Sequence, residues 1–368
     1  MRIRRWLLRT GLAIGVVALT VTAIVTLWPP ADLPGPVAEG IVDWHAHTAG
    51  IGAGGSGIVL SPVLRDSYKY PFYLSAFHVS ETEIQTHGDA IVVKRISELV
   101  GASKRVSKAV VLAMDGVVDQ SGKLDRARTQ VLIPNEFVRE TTQTYPHLLY
   151  GASVHPRRPD ALSQLRRAKA DGAVVVKWIP GIMDIDPADP AYIPYYQTLR
   201  CLGLPLISHT GDERSFGPSD DRLGDPLRLA LPLEHGVTVI AAHMAVSGSR
   251  DGERNLLRVI RLMKTYENLF ADISAMTLFN RGARLQESLM HPTVRSRLIY
   301  GSDWPLQFFP LVSPWYESLR LSLADIQAVS QIENPWDRDV AIKQALGVDA
   351  EVFARSPLAF AEQRRRCG

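Results

Sequence analysis

The sequence predicts an α/β fold: a (β/α)8 TIM barrel preceded by a single N-terminal transmembrane helix. Three observations carry this. Strand-like and helix-like segments alternate eight times after residue 40. Four of the strand-like segments are apolar runs that end in His or Asp. A 22-residue stretch from Thr10 to Ala31 has no charged side chain. The chain has 368 residues, 46% of them hydrophobic, enough for one large core and a usual size for a single-domain α/β barrel.

Residues 1–9 are basic, with Arg2, Arg4, Arg5 and Arg9, and residues 10–28 are almost wholly apolar. A helix of about 20 residues covers the ~30 Å hydrocarbon core of a bilayer. The basic flank, followed by Asp32 and Glu39, puts the N-terminus in the cytoplasm and the barrel on the periplasmic or extracellular side. The competing reading is a cleaved signal peptide and a secreted protein, although no clear small-x-small site follows. Residues 29–39, with Pro29, Pro30, Pro34 and Pro36, read as a stiff linker, and the barrel occupies 40–368.

The expected strands are Gly40–Trp44, Lys108–Met114, Leu148–Val154, Ala173–Trp178, Leu204–Ser208, Val237–Ala242, Leu269–Ile273 and Leu298–Gly301. The expected helices include Asp89–Val100, Asn135–Thr144, Asp160–Ala170, Tyr192–Leu202, Pro226–His235, Glu253–Tyr266 and Arg281–Met290, with Asn135 and Asp160 as caps. Such alternation predicts a parallel sheet buried on both faces. An open doubly wound sheet is the alternative, but no Gly-x-Gly-x-x-Gly follows the first strand. An insertion at 48–88, glycine-rich and then aromatic, is either a lid or a helical excursion, and Val117–Pro134 is a second substrate-loop candidate. From Ser313 the chain reads as helical packing with a basic tail at Arg364–Arg366. The two cysteines, Cys201 and Cys367, form no metal knuckle, and Cys201 reads as helix filler. Without the four N-terminal arginines the chain carries 37 basic and 38 acidic residues, so nothing points to nucleic acid.

Residues two apart on a strand point the same way, so His45 and His47 project together. His209, His243 and Asp303 each end another strand, and barrel topology gathers all strand C-termini on one face. Imidazole and carboxylate suit a divalent ion: zinc first, manganese or iron as alternatives, one or two ions. The order His45-x-His47, Lys177, His209, His243, Asp303 resembles the amidohydrolase superfamily. The stretches Leu204–Gly211, Val237–Ala245, Asn268–Ala275 and Arg297–Pro305 resemble its amidohydrolase-related branch of hydrolases, lactonases and non-oxidative decarboxylases. The resemblance implies His45, His47, His209 and Asp303 as metal ligands. It implies Asp303 as the base toward water, and His243 as a second-metal ligand or a group that polarises the substrate. In part of that superfamily a lysine placed like Lys177 is carbamylated and bridges two metals; here a charged lysine paired with a carboxylate is the competing reading.

His155, Arg157, Arg158 and Arg214 are further candidates for the pocket, the arginines because a guanidinium grips a carboxylate bidentately. Trp44, Trp178 and Trp304 flank ligand positions, and alternation turns them outward. The expectation is a membrane-anchored metal-dependent hydrolase of C–N or C–O bonds in a small molecule. The alternative is a decarboxylase of an aromatic or unsaturated acid, and a non-catalytic metal- or ligand-binding receptor stands further off. A homo-oligomer is compatible with the sequence.

Overall fold

The structure, a computed structural model, describes residues 40–281, 283–308 and 310–367. The expected anchor at 10–28 and linker at 29–39 lie outside the described residues. Among the described residues no helix is long and apolar enough to cross a membrane.

Eight strands form one parallel sheet in chain order: β1 (Ile41–His47), β2 (Val106–Leu112), β3 (Leu148–Ala152), β4 (Val175–Trp178), β5 (Leu206–Ser208), β6 (Val239–Ala241), β7 (Leu269–Asp272) and β8 (Leu298–Ile299). Each matches an expected strand within a few residues. They are short and apolar because both faces are covered. One face builds an inner layer that includes Val42, Val110, Val175, Ile207, Ile240 and Phe270. The other packs on the surrounding helices. The helix Pro357–Gln363 brings Leu358 and Phe360 against the inner layer, with the Phe360 and Phe270 rings 5.0 Å apart.

Three backbone hydrogen bonds draw β1 to the end of β8: Trp44 N to Tyr300 O (3.2 Å), Asp303 N to His45 O (2.8 Å) and His47 N to Trp304 O (3.0 Å). The β1–β2 register shifts between Asp43 and Ala46. This irregularity breaks the alternation, so Trp44 lies in the inner layer although it was expected to face outward. His45 follows it inward as well. Trp178 and Trp304 do pack outward, against Tyr195 and Trp336. Asp43 fixes the irregular segment: its carboxylate accepts from His45 N (3.0 Å), Ser302 N (2.9 Å), Ser302 Oγ (2.5 Å) and Trp336 Nε1 (2.8 Å).

Both long loops cover the C-terminal face. The insertion folds into short helices, Pro62–Arg65, Tyr70–Ala76 and Glu81–His87. Its Val59–Leu60 pairs antiparallel with Val131–Leu132 of the second loop. The base of the insertion is tied by Asp89, which accepts from Ile51 N and Gly52 N (2.8 and 3.0 Å). A Cβ on Gly50 would come within 2.4 Å of Asp89 Cγ, so only glycine fits there.

Two local expectations fail. Neither Asn135 nor Asp160 caps its helix with a side-chain hydrogen bond. The Asn135 amide instead bonds both backbone groups of Ser153, at 2.7 and 2.8 Å, tying the helix Asn135–Gln143 to the end of β3. Cys201 is not mere filler: it is disulfide-bonded to Cys367 across 166 residues. The bridge fastens the C-terminal tail to the helix Ile193–Leu202.

Candidate metal centre

The ends of β1 and β8 bring His45, His47 and Asp303 together, with one ligand atom from each within 4.8 Å of the others. His45 Nε2 and His47 Nε2 are 3.2 Å apart, and Asp303 Oδ1 lies 3.4 and 3.3 Å from them. Lys177, at the end of β4, puts Nζ 2.7 Å from His45 Nε2. His209 and His243 line the same cavity from β5 and β6, but pair with each other, Nδ1 to Nε2 at 3.2 Å. His209 Nδ1 also faces Glu213 Oε2 at 3.2 Å.

Buried beneath this set, Asp272 at the end of β7 accepts from His45 Nδ1 (2.9 Å), His243 N (2.7 Å), Ser274 N (3.1 Å) and Ser274 Oγ. A carboxylate at His45 Nδ1 holds the proton on that nitrogen and leaves the Nε2 lone pair facing the cavity. The backbone is strained at two of these positions, with φ of 41° at His243 and 63° at Asp303. The Asp272 and His45 backbone contacts hold both turns.

Burial drives the electrostatics. It lowers the His47 pKa to about 4 and those of His209 and His243 as well, so these imidazoles are neutral at pH 7. Burial also lowers Lys177 to about 8, against the pull of Asp303, Asp272 and Glu213. Burial opposes ionisation of Asp303 and Asp272, but His45 beside both, with hydrogen bonds from His45 and Ser274 to Asp272 and from His47 to Asp303, outweighs it and holds both carboxyls below the ordinary range. Neutral imidazoles beside an ionised carboxylate are the protonation states a divalent cation requires. Two imidazole nitrogens facing one another and a carboxylate oxygen gather three ligand atoms at one point, with Lys177 Nζ the cation beside them. His47 Nδ1, His209 Nε2 and His243 Nδ1 are buried with no partner among the described residues. The donor set fits a divalent cation on His45, His47 and Asp303, with His209 alongside.

The other proposed pocket residues sit elsewhere or at the rim. His155 is buried, its Nε2 donating to Met183 O (2.9 Å) and its Nδ1 accepting from Arg157 N (3.1 Å). Arg157 bonds Val118 O and Asp184 O, and Arg158 grips Asp115 with two bonds of 2.7 and 2.6 Å. Arg214 lines the mouth, largely exposed and paired with Asp212 at 2.7 Å. Asp272, Glu213 and Arg281 were not assigned from the sequence. Asp272 carried a signal, a carboxylate closing an apolar strand in line with His45 and Asp303. Glu213 lies in an irregular loop, where no periodicity marks it; Arg281 was expected to open the helix Arg281–Met290, but that helix begins at Arg284 and leaves Arg281 in the loop after β7. The insertion at 48–88 and the 117–134 loop supply most of the remaining wall, including Ile51, Tyr73, Phe77 and Ile133.

An eight-stranded α/β barrel with metal-ligand side chains at its C-terminal face defines the class, and the family follows. The Amidohydrolase family model matches residues 42–327, and the chain belongs to that family. No protein of curated function matches the chain in sequence. Among solved structures, the uncharacterized TIM-barrel protein Bb4693 from Bordetella bronchiseptica is 15% identical with a TM-score of 0.50, covering 83% of this chain and 99% of its own. A putative 2-pyrone-4,6-dicarboxylic acid hydrolase from Pseudomonas putida is 16% identical (TM-score 0.47, 88% and 98% covered). The 5-carboxyvanillate decarboxylase from Sphingomonas paucimobilis is 14% identical (0.46, 87% and 100%). At these identities the likeness speaks to fold alone.

Proposed function

We propose that this chain is a metal-dependent hydrolase that cleaves a C–N or C–O bond at a carbonyl carbon of a small molecule. The convergence of His45, His47 and Asp303 within 4.8 Å carries the reading. A divalent cation held there supplies Lewis-acid chemistry, polarising a carbonyl and lowering the pKa of water. Asp303, ionised and aimed into the cavity, takes the proton of the attacking water. His243, neutral and with no partner at Nδ1, hydrogen-bonds the substrate carbonyl oxygen, and the proton that Asp303 has taken passes on to the leaving group. His209 adds a ligand nitrogen, with Glu213 at its other face. Lys177 donates to His45 Nε2 and counters the carboxylates when no cation does. The apolar wall keeps bulk water out.

The same shell serves a non-oxidative decarboxylase, and the cations Lys177 and Arg281 beside the ligand set favour keeping that second reading. Metal analysis of the purified chain, with a screen of lactones, amides, esters and carboxylated aromatics, decides. Chelator should abolish turnover, and zinc or manganese should restore it. Release of carbon dioxide selects the lyase, and a protein that turns over equally without metal sinks both readings.

The apolar run at 10–28 and the Cys201–Cys367 bridge support a membrane-anchored location outside the cytoplasm, since disulfides persist in oxidising compartments. Protease added to the outer side should digest the barrel of a membrane-bound protein. A soluble mature form beginning near Ala31 or Asp32 would show signal cleavage instead.

A further inference from the structure

Arg281 stands in the loop after β7 and lines the cavity that holds His45, His47 and Asp303. Its Nη1 is buried and has no hydrogen-bond partner among the described residues. The contrast with Arg258 is instructive: that buried guanidinium meets Asp225, Asp251 and Glu253 at 2.7, 3.0 and 3.3 Å. Arg281 feels Asp303, Glu213 and Asp272 only through space, and burial lowers its pKa below the ordinary guanidinium value. Guanidinium stays charged at any working pH, and a buried charge without a paired counter-ion is costly. A cost of that kind inside a cavity is offset when an anionic ligand arrives.

The rest of the wall sets the ligand's shape. Ile51, Leu64, Phe77, Ile84, Val131 and Ile133 come from the two long loops and make one side of the cavity apolar. The free volume is about 170 Å³. An apolar protein cavity of about 150 Å³ takes a benzene ring. The space therefore suits one ring or a short hydrocarbon chain.

We infer that the substrate is a monocarboxylate with a single-ring or short-chain apolar body, its carboxylate held by Arg281 and its body in the chamber under the two loops. This rests on the reading of the cavity as the active site. The guanidinium fork matches a carboxylate in two parallel hydrogen bonds. A phosphate is the poorer fit. Glu213 and Asp303 share the cavity, and their charges oppose a dianion. The scissile carbonyl then lies between the two ends of the substrate, beside the ligand set.

The test is binding by calorimetry to the full-length protein in detergent, first stripped with chelator and then metal-loaded. The probes are 3-phenylpropanoate, its neutral amide, acetate and inorganic phosphate. The stripped protein should bind 3-phenylpropanoate at least ten-fold more tightly than the amide or acetate, and should not bind phosphate. Arg281→Met should weaken 3-phenylpropanoate by about ten- to hundred-fold, the size of a charge-assisted hydrogen-bond pair, and leave the amide unchanged. Arg281→Lys should fall between. Equal affinity for acid and amide, or no change in Arg281→Met, overturns the inference. So does carboxylate binding that appears only after metal is added, because the metal itself is then the anchor. If Arg281→Met does not fold, the wild-type acid-to-amide ratio and Arg281→Lys still decide. Metal content, measured on the same samples, reports separately on the ligand set, so failure of the carboxylate anchor and failure of the metal site are told apart.

Discussion

Replacing Asp272 with Asn should cost metal affinity about 10- to 100-fold, although Asp272 is not among the expected ligands. The reasoning follows its two oxygens. Oδ1 accepts from His243 N, Ser274 N and Ser274 Oγ, whereas Oδ2 accepts only from His45 Nδ1. An asparagine has one carbonyl oxygen, and three donors draw it to the Oδ1 position. The amide NH2 then faces His45 Nδ1. Two donors cannot share that contact, which drives the His45 proton toward Nε2, the atom that faces His47 and Asp303; Ser274 Oγ, 3.2 Å from Nδ1 and already bonded to Asp272, is the other acceptor in reach. A protonated Nε2 cannot ligate. Loss of an outer carboxylate on a ligating histidine typically costs 10- to 100-fold in metal affinity, or about 1.4–2.7 kcal/mol. Dialysis against metal buffers with elemental analysis measures the affinity, and nitrogen-15 spectra of the histidines report the tautomer. A folded Asp272→Asn protein with wild-type metal affinity and His45 still protonated at Nδ1 would refute the reasoning.

Asp303→Asn keeps one oxygen for the cation but loses most proton affinity; turnover should fall about 10²–10⁴-fold with metal partly retained, and lost metal would make Asp303 chiefly a ligand. His155 is buried neutral, its pKa lowered by burial from 6.5 to about 4. Its contribution is intact above pH 6.5 and lost as pH falls toward 4, worth about 3 kcal/mol at the acid end. The stability gap between wild type and His155→Gln, followed by urea unfolding, should shift by that amount across the window, and a constant gap would count against a buried neutral imidazole. Reducing the Cys201–Cys367 bridge opens a loop of 166 residues; loop entropy sets an upper value near 5 kcal/mol, and a loss of 2–5 kcal/mol lowers Tm by about 3–7 °C for a domain of this size. Thermal unfolding with and without reductant checks this, and an unchanged Tm with both thiols shown free by mass spectrometry would mean that packing of Phe360 alone holds the tail.

The barrel was legible because its signal is local and repeated. Each strand is an apolar run long enough to be buried on both faces, and each ends at a loop on the same side of the sheet. A histidine or aspartate closing such a run needs no long-range knowledge to be placed at the C-terminal face, which is why His45, His209, His243 and Asp303 could be put there from the sequence. What escaped depends on contacts between distant segments. Asn135 has the side chain of a cap, yet the end of β3 offers it two backbone partners and wins. Cys201 and Cys367 are joined only because the last helix, Pro357–Gln363, packs Phe360 against the inner layer and brings the tail back to the helix Ile193–Leu202.

Trp44 shows where the alternation rule fails, and the failure helps to make the site. A regular strand would send Trp44 and His45 to opposite faces, so an inward Trp44 would turn His45, and with it His47, into the helical layer. The register shift between Asp43 and Ala46 adds the extra step that lets Trp44 fill the inner layer and still aims both histidines into the cavity. Asp43 holds that step: it binds His45 N on one side, Ser302 on the other and Trp336 behind. Ser302 precedes Asp303, whose own N–H returns to His45 O. One buried carboxylate thus fixes the backbone at both ends of the triad, so the relative placement of His45 and Asp303 is set before any ligand binds.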